Sequence, residues 1–302
     1  MKNIFTYSTA FVLGLALVAT PDADAQQFSK RKQYNSIGFS LNAMNYFGDI
    51  TPTTSFASLR AGATRVGAGV SITRRFYPRL SGRFGLMYGR ISGDDALAAD
   101  QNGTDSKFRY NRNMNFRNDI LEASAVAIFD LIENRNNYLK RPDFVPYVFV
   151  GVAGFYNNPQ GLVGDNAPTG LTKGSYVDLA DLKTEGQATA YSKTQISIPF
   201  GGGIRYRINR NFDASLEIGW RKTFTDYIDD VGGKYAGAAN LSGAQKYFGN
   251  DITRSVKDGG FTGFTNKGEA RGDNGNKTDW YIVTGVTLNY ILTPRIKNPK
   301  FR

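Results

Sequence analysis

The chain has 302 residues with 37 Lys and Arg against 26 Asp and Glu, a formal charge of +11, and neither cysteine nor histidine. Those two absences exclude disulfides, thiolate chemistry, histidine-dependent triads and the usual zinc sites. The basic residues are scattered with no basic helix beside them, so nucleic acid is not expected as a partner, whereas anionic lipid or protein is.

Residues 1–25 combine Lys2, an apolar run from Phe11 to Ala19 and the small-residue signature Ala23-Asp24-Ala25. This pattern predicts a secretory signal peptide cleaved after Ala25, since the apolar run is too short to span a bilayer. No cysteine follows it, so a lipoprotein anchor is not expected. Residues 26–302 contain no stretch that reads as a linker and are expected to form one domain. A 13% aromatic content, 34 glycines and the lack of long helical periodicity favour an all-β chain.

The first predicted strand alternates through Ile37, Phe39, Leu41 and Ala43, and the second through Val66, Ala68, Val70 and Ile72. In the third, Phe84, Leu86 and Tyr88 oppose Arg83, Gly85 and Gly89. Residues 120–129 form a fourth strand with Leu121, Ala123, Ala125, Ala127 and Phe129 against Glu122 and Ser124. The fifth, from about Tyr147 to Tyr156, is apolar on both faces, so its orientation cannot be read.

The clearest signal is the hairpin between Thr194 and Val231. In its first arm Ile196, Ile198, Phe200, Ile204, Tyr206 and Ile208 share a face opposite Arg205 and Arg207. After the turn Asn209-Arg210-Asn211, Phe212, Ala214, Leu216, Ile218 and Trp220 continue that face opposite Asp213, Glu217 and Arg221. Trp280, Ile282, Val286, Leu288, Tyr290 and Leu292 mark the eighth strand. Pro199 cannot donate to a ladder, and with Gly201-Gly202-Gly203 beside it a bulge is expected.

Long polar connections at 47–60, 92–112, 157–192 and 227–278 alternate with shorter ones, which predicts long external loops and short periplasmic turns. On that topology Phe76, Phe129, Tyr206, Phe212 and Tyr290 map to one rim, and Tyr88, Trp220 and Trp280 to the other, as two aromatic girdles. The expected fold is therefore a transmembrane antiparallel β-barrel of eight strands in the outer membrane of a diderm bacterium.

Inward positions carry Arg83, Glu122, Arg205, Arg207, Asp213, Glu217 and Arg221. Small barrels are filled by side chains, so a charge-paired plug is expected, with Arg205 and Arg207 facing Asp213 and Glu217 across the short turn; a conducting pore is the rival. Asp94-Asp95 and Asp226, Asp229 and Asp230 could hold calcium, or be solvated loop carboxylates, and their spacing matches no EF-hand. Arg271-Gly272-Asp273 has the form of an adhesion tripeptide, a match of little weight. No catalytic, cofactor-binding or metal-binding residue is nominated.

Several stretches together resemble one family. They are Tyr46-Phe47-Gly48-Asp49, Gly89-Arg90-Ile91-Ser92-Gly93-Asp94-Asp95, Arg112-Asn113-Met114-Asn115-Phe116-Arg117, Pro146-Tyr147 and Tyr156-Asn157-Asn158-Pro159. Further along come Thr184-Glu185-Gly186-Gln187, Ile198-Pro199-Phe200-Gly201, the run from Arg221 to Val231, Arg271-Gly272 and Asp279-Trp280-Tyr281. In order and spacing, from about residue 34 to 292, these resemble the PorG family, the β-barrel component of the type IX secretion system. The resemblance implies a non-enzymatic role in protein export, in association with the periplasmic ring of the lipoprotein PorK and its partner PorN, and no cofactor. The rival is a stand-alone barrel for envelope integrity, adhesion or narrow solute passage. If a ring binds, the periplasmic parts must hold it, and the tail residues Arg295, Lys297, Lys300 and Arg302 are the candidate contact; attraction to anionic headgroups is the alternative use of that charge.

Overall fold

The computed structural model describes residues 32–50, 62–98, 112–164, 167–249, 268, 270–272 and 278–293. The strands are β1 (Asn35–Phe47), β2 (Arg65–Arg75), β3 (Leu80–Asp94), β4 (Asn115–Asp130), β5 (Phe144–Tyr156), β6 (Pro159–Leu162), β7 (Tyr176–Asp178), β8 (Thr194–Arg207), β9 (Phe212–Thr223) and β10 (Trp280–Leu292). Eight of them pair antiparallel in a ring. β1 to β5 join in sequence order, β5 pairs β8, β8 to β10 follow in turn, and β10 returns to β1. The barrel is closed, and closure removes the free edges on which strands aggregate.

Alternation decides which way each side chain points. Ile37, Phe39 and Leu41 of β1 face outward and Ser36 and Asn42 face inward; on β4, Leu121 is exposed while Glu122 is 1% exposed. Large aliphatic side chains ring the outside, with Val66 at 81% and Val152 at 66% exposure. This is the inverse of a water-soluble barrel, whose apolar set lies inside.

The fifth strand, ambiguous in the sequence, is resolved by volume. Val148, Val150 and Val152 point out, while Tyr147, Phe149 and Phe155 are buried in the lumen. Glycines on the neighbouring strands β8 and β9 make room for those rings: a methyl at Gly203 would lie 2.9 Å from Tyr147 Cζ, and one at Gly219 would lie 2.7 Å from Phe149 Cζ.

Two expectations change. Residues 157–192 are not wholly irregular, because β6 and β7 form there, too short to display alternation. The upper part of β4 outruns β5, whose pairing begins at Leu121, and β6 covers that uncovered edge at Arg117 and Asn118. Nor does Pro199 make a bulge. Val150 opposite Phe200 and Ala153 opposite Ser197 keep one register, so no residue is inserted, and the β5–β8 ladder simply lapses between them. On its other side Pro199 stays in register with Arg221.

The short turns lie at one end. The longest, 131–143, is ordered by a 3-10 turn at Tyr138–Lys140 capped by Asn137, and by Asn134, whose backbone N–H donates to the Pro78 carbonyl. At the opposite end a buried cluster including Met44, Tyr46, Ile50, Phe116, Ile120, Ile228 and Val231 fills the mouth. Beside it Val163, Leu179, Tyr247 and Phe248 form a smaller apolar lobe.

Candidate functional site

Each inward charge expected from the sequence pairs with a charge of opposite sign. Arg83 on β3 crosses the lumen to Glu217 on β9, with Nη2 donating at 2.9 Å, and Tyr147 donates its hydroxyl proton to the same carboxylate. Arg221 Nε donates to Glu122 at 3.3 Å, and the Tyr281 hydroxyl donates to that carboxylate at 2.6 Å. The expected pairing of Arg205 and Arg207 with Asp213 and Glu217 does not form. Arg205 reaches Asp130 at 3.3 Å, Arg207 pairs with Asp143, and Asp213 is taken by Arg141 at 2.6 Å. The reason is reach: long guanidinium side chains span the narrow lumen or run down to the turns, so the hairpin neighbour is not the nearest carboxylate.

Arg141 also stitches the turns together, donating to the carbonyls of Asn209 and Arg210 at 2.8 and 2.9 Å. Two small voids of about 10 and 20 Å³ remain in this end of the lumen, each with room for roughly one water.

The aromatic residues expected in girdles lie on the outer surface or its rims. Tyr88 and Tyr206 are exposed, Phe212 meets Tyr290 at 5.2 Å between ring centroids, and Trp220 and Trp280 both contact Phe200. Phe76 sits on the turn after β2, and Phe129 near the short-turn end of β4 carries Arg79 over its ring.

At the long-loop end the chain folds back over the mouth and builds a second, denser network. Arg112, 1% exposed, holds Asp95 in a bidentate pair at 2.7 and 2.9 Å and donates to the carbonyls of Arg271 and Asp49. Arg271, fully buried, donates to the Asp230 carbonyl at 2.6 Å, to Thr184 Oγ1 at 2.9 Å and to the Phe248 carbonyl at 3.0 Å. Asp230 has a left-handed backbone (φ 72°), a costly conformation for a residue with a Cβ. It is held there by Thr184 and Tyr191, whose hydroxyls donate to its carboxylate at 2.6 and 2.7 Å.

Asp229 and Asp279 flank the Tyr46 hydroxyl at 2.6 and 2.7 Å, while the Asp49 backbone N–H donates to the same oxygen. A hydroxyl has one proton to give, so one of the two carboxyls carries a proton and donates back. Backbone donors complete the cluster: Ile50 and Val231 to Asp229, and Ile228 to Asp279. Gly48 lies against it so closely that a methyl there would sit 1.9 Å from both Asp279 Oδ1 and the Tyr46 hydroxyl.

Burial pushes the carboxyls of Asp229 and Asp279 well above the usual range, and each is raised further by its acidic neighbours. Asp230 is raised to about 6 by burial, which its pairing with Arg271 only partly offsets.

The solvated-loop reading is thus corrected for three of the five carboxylates: Asp95, Asp229 and Asp230 are fully buried because Arg112, Arg271, Tyr46 and backbone donors receive them, while Asp94 and Asp226 are partly exposed. Among the described residues, no group of three or more ligating side chains is arranged to hold a metal. Arg271 is also unavailable as part of a displayed adhesion tripeptide, and Asp273 lies outside the described residues, as do residues 1–25, Arg295, Lys297, Lys300 and Arg302.

Reading the residues one by one missed Tyr46, Asp49, Arg112, Arg271 and Asp279 as partners, although each sits in a stretch quoted for the family resemblance. Their contacts span as many as 233 residues, a separation that no local pattern reveals. The lumen partners Arg75, Asp130 and Arg141 escaped because they lie at strand ends and in a turn, where alternation stops.

A family model described as "Domain of unknown function (DUF6089)" matches residues 24–266. No curated protein sequence matches the chain. Among solved structures, OprG from Pseudomonas aeruginosa is similar at 9% identity and a TM-score of 0.38, covering 87% of this chain and 98% of that one. Neisserial surface protein A is similar at 12% identity and 0.35, covering 86% and 96%. The attachment invasion locus protein Ail of Yersinia pestis follows at 8% and 0.34, covering 86% and 97%.

Proposed function

The chain belongs to the DUF6089 family, and from that premise we propose that it is an outer-membrane barrel acting as a sealed, structural component of the type IX protein secretion machinery. In this reading residues 1–25 direct export, outer-membrane lipid surrounds the wall, and the short-turn end meets the periplasmic PorK and PorN ring. The outward belt of Ile, Leu, Val, Phe and Tyr supports the lipid setting, since such a surface is stable in hydrocarbon and insoluble in water.

The observation that carries the reading is that the interior is plugged twice. Charge pairs fill the lumen, and the folded loops close the mouth. A protein built this way supplies a fixed body in the membrane rather than a path across it, and the role is non-enzymatic. The PorG-like order and spacing of motifs from about residue 34 to 292 supports the assignment to secretion. The residues of those motifs include most of the partners in the mouth, so the resemblance follows the part of the molecule that is most elaborately built.

The test is to delete residues 295–302, confirm that the barrel still inserts, and pull down the ring proteins. Loss of ring association with insertion intact is the expected result. Association and secretion that both survive would move the contact to the 131–143 turn or end the anchoring hypothesis.

A further inference from the structure

The short-turn end of the lumen carries more positive charge than its partners neutralise. Arg75, Arg141, Arg205 and Arg207 all line the void of about 10 Å³, and the carboxylates that they bond are Asp130, Asp213 and Asp143. Asp213 is committed to Arg141, and Asp143, on the turn, is 68% exposed and answers Arg207. Asp130 must therefore serve both Arg75 at 3.0 Å and Arg205 at 3.3 Å. Four guanidiniums share three carboxylates.

The donors are under-used as well. Arg205, 16% exposed, makes a single hydrogen bond among the described residues and otherwise lies over the Tyr147 ring. The Nε of Arg75 and the Nδ2 of Asn134, on side chains 3% and 2% exposed, have no hydrogen-bond partner, and both residues line the void. Buried donors without acceptors are costly, and a guanidinium without a full counter-charge more so. Tyr34 closes the wall of this void, and Tyr34, Arg75 and Arg205 also line the adjoining one of about 20 Å³.

We infer that this end of the lumen is a binding site for one small monovalent inorganic anion, of chloride size, held among Arg75, Arg205, Asn134 and Tyr34. An anion there would accept from the idle N–H groups and complete the charge balance of the plug. A water molecule fits the same volume and could also donate to Asp213, which lines it, so the test must separate the two.

Crystals of the purified barrel grown with sodium bromide should give an anomalous peak between Arg75 and Arg205. Thermal unfolding in detergent, compared in sodium chloride and sodium gluconate at equal ionic strength, should show a midpoint that rises with chloride and saturates. Asn134→Leu, which removes a donor and leaves every charge in place, should weaken that dependence several-fold, and Arg205→Gln should abolish it. Arg210→Gln, on the exposed turn, should leave it unchanged. Electron density without an anomalous signal, or equal midpoints in chloride and gluconate for the wild-type chain, would assign the void to water and overturn the inference. If Arg205→Gln does not fold, Asn134→Leu and the bromide experiment still decide.

Discussion

The two ends of the barrel interior are closed by opposite means. Toward the short turns the plug is made largely by the wall itself, with guanidiniums crossing the lumen to carboxylates; Arg75–Asp130 and Arg141–Asp213 are nearly dry there, while Arg83 and Glu217 keep some contact with water at 17% and 15% exposure. Toward the long loops it is made by chain that has left the wall, and its charges are wholly dry: Arg112 and Asp95 are 1% and 0% exposed. An ion pair that keeps some hydration has other partners when one member is lost, whereas a dry one does not. The Arg112–Asp95 pair of the mouth should therefore be less forgiving than the Arg83–Glu217 pair of the wall, although it is built from loops.

Arg112→Met sets that comparison at its widest, because it strands Asp95 and two backbone carbonyls in an apolar cluster. The expected loss is about 3–5 kcal/mol, read as collapse of hydrogen-exchange protection in the mouth while the wall strands stay protected. Arg83→Met should cost clearly less, since Tyr147 still donates to Glu217. Equal losses would mean that the two plugs are alike in kind.

The wall offers a reference against which both can be measured. Leu216, outward and 49% exposed on β9, lies well inside the apolar belt. Leu216→Arg should destabilise the barrel in bilayers by roughly 2–4 kcal/mol. Wild-type stability in that variant would show that inner and outer faces have been exchanged.

Acidity sharpens the contrast further. The Asp230 carboxyl, ordinarily near 3.8, is raised to about 6 in the folded chain, so folding holds a proton that the unfolded chain releases. Its contribution is complete below about pH 4 and is lost as pH rises through about 6. Asp229 and Asp279 shift in the same direction. Amide protection at Ile50, Ile228 and Val231, corrected for intrinsic exchange, should therefore fall by on the order of 1–3 kcal/mol between pH 4 and pH 7.5. Protection that grows toward neutral pH would contradict the burial of these carboxyls.

The same division explains what could be read in advance. A strand repeats every two residues, so Ile37, Phe39, Leu41 and their counterparts disclose the wall, its inside and its outside in the sequence alone. Glu122, Arg205 and Glu217 were legible as lumen residues for that reason. Their partners were not, because the ends that guanidiniums reach depend on lumen width and on turns such as 131–143, which have no period. The mouth was least legible of all. Tyr46, Asp229 and Asp279 stand far apart in the chain and are joined by the pairing of β1 with β10 and by how the loops fold, and Asp229, which reads as a solvated loop carboxylate, gives no local sign of burial. Short β6 and β7 escaped for a related reason, since three or four residues cannot show alternation.

Whether the interior is sealed at both ends is what separates a structural body from a pore, and recordings from the purified full-length barrel in planar bilayers address it directly. No stable large conductance is expected across the physiological voltage range. Steady nanosiemens-scale openings in the wild-type chain would contradict that expectation.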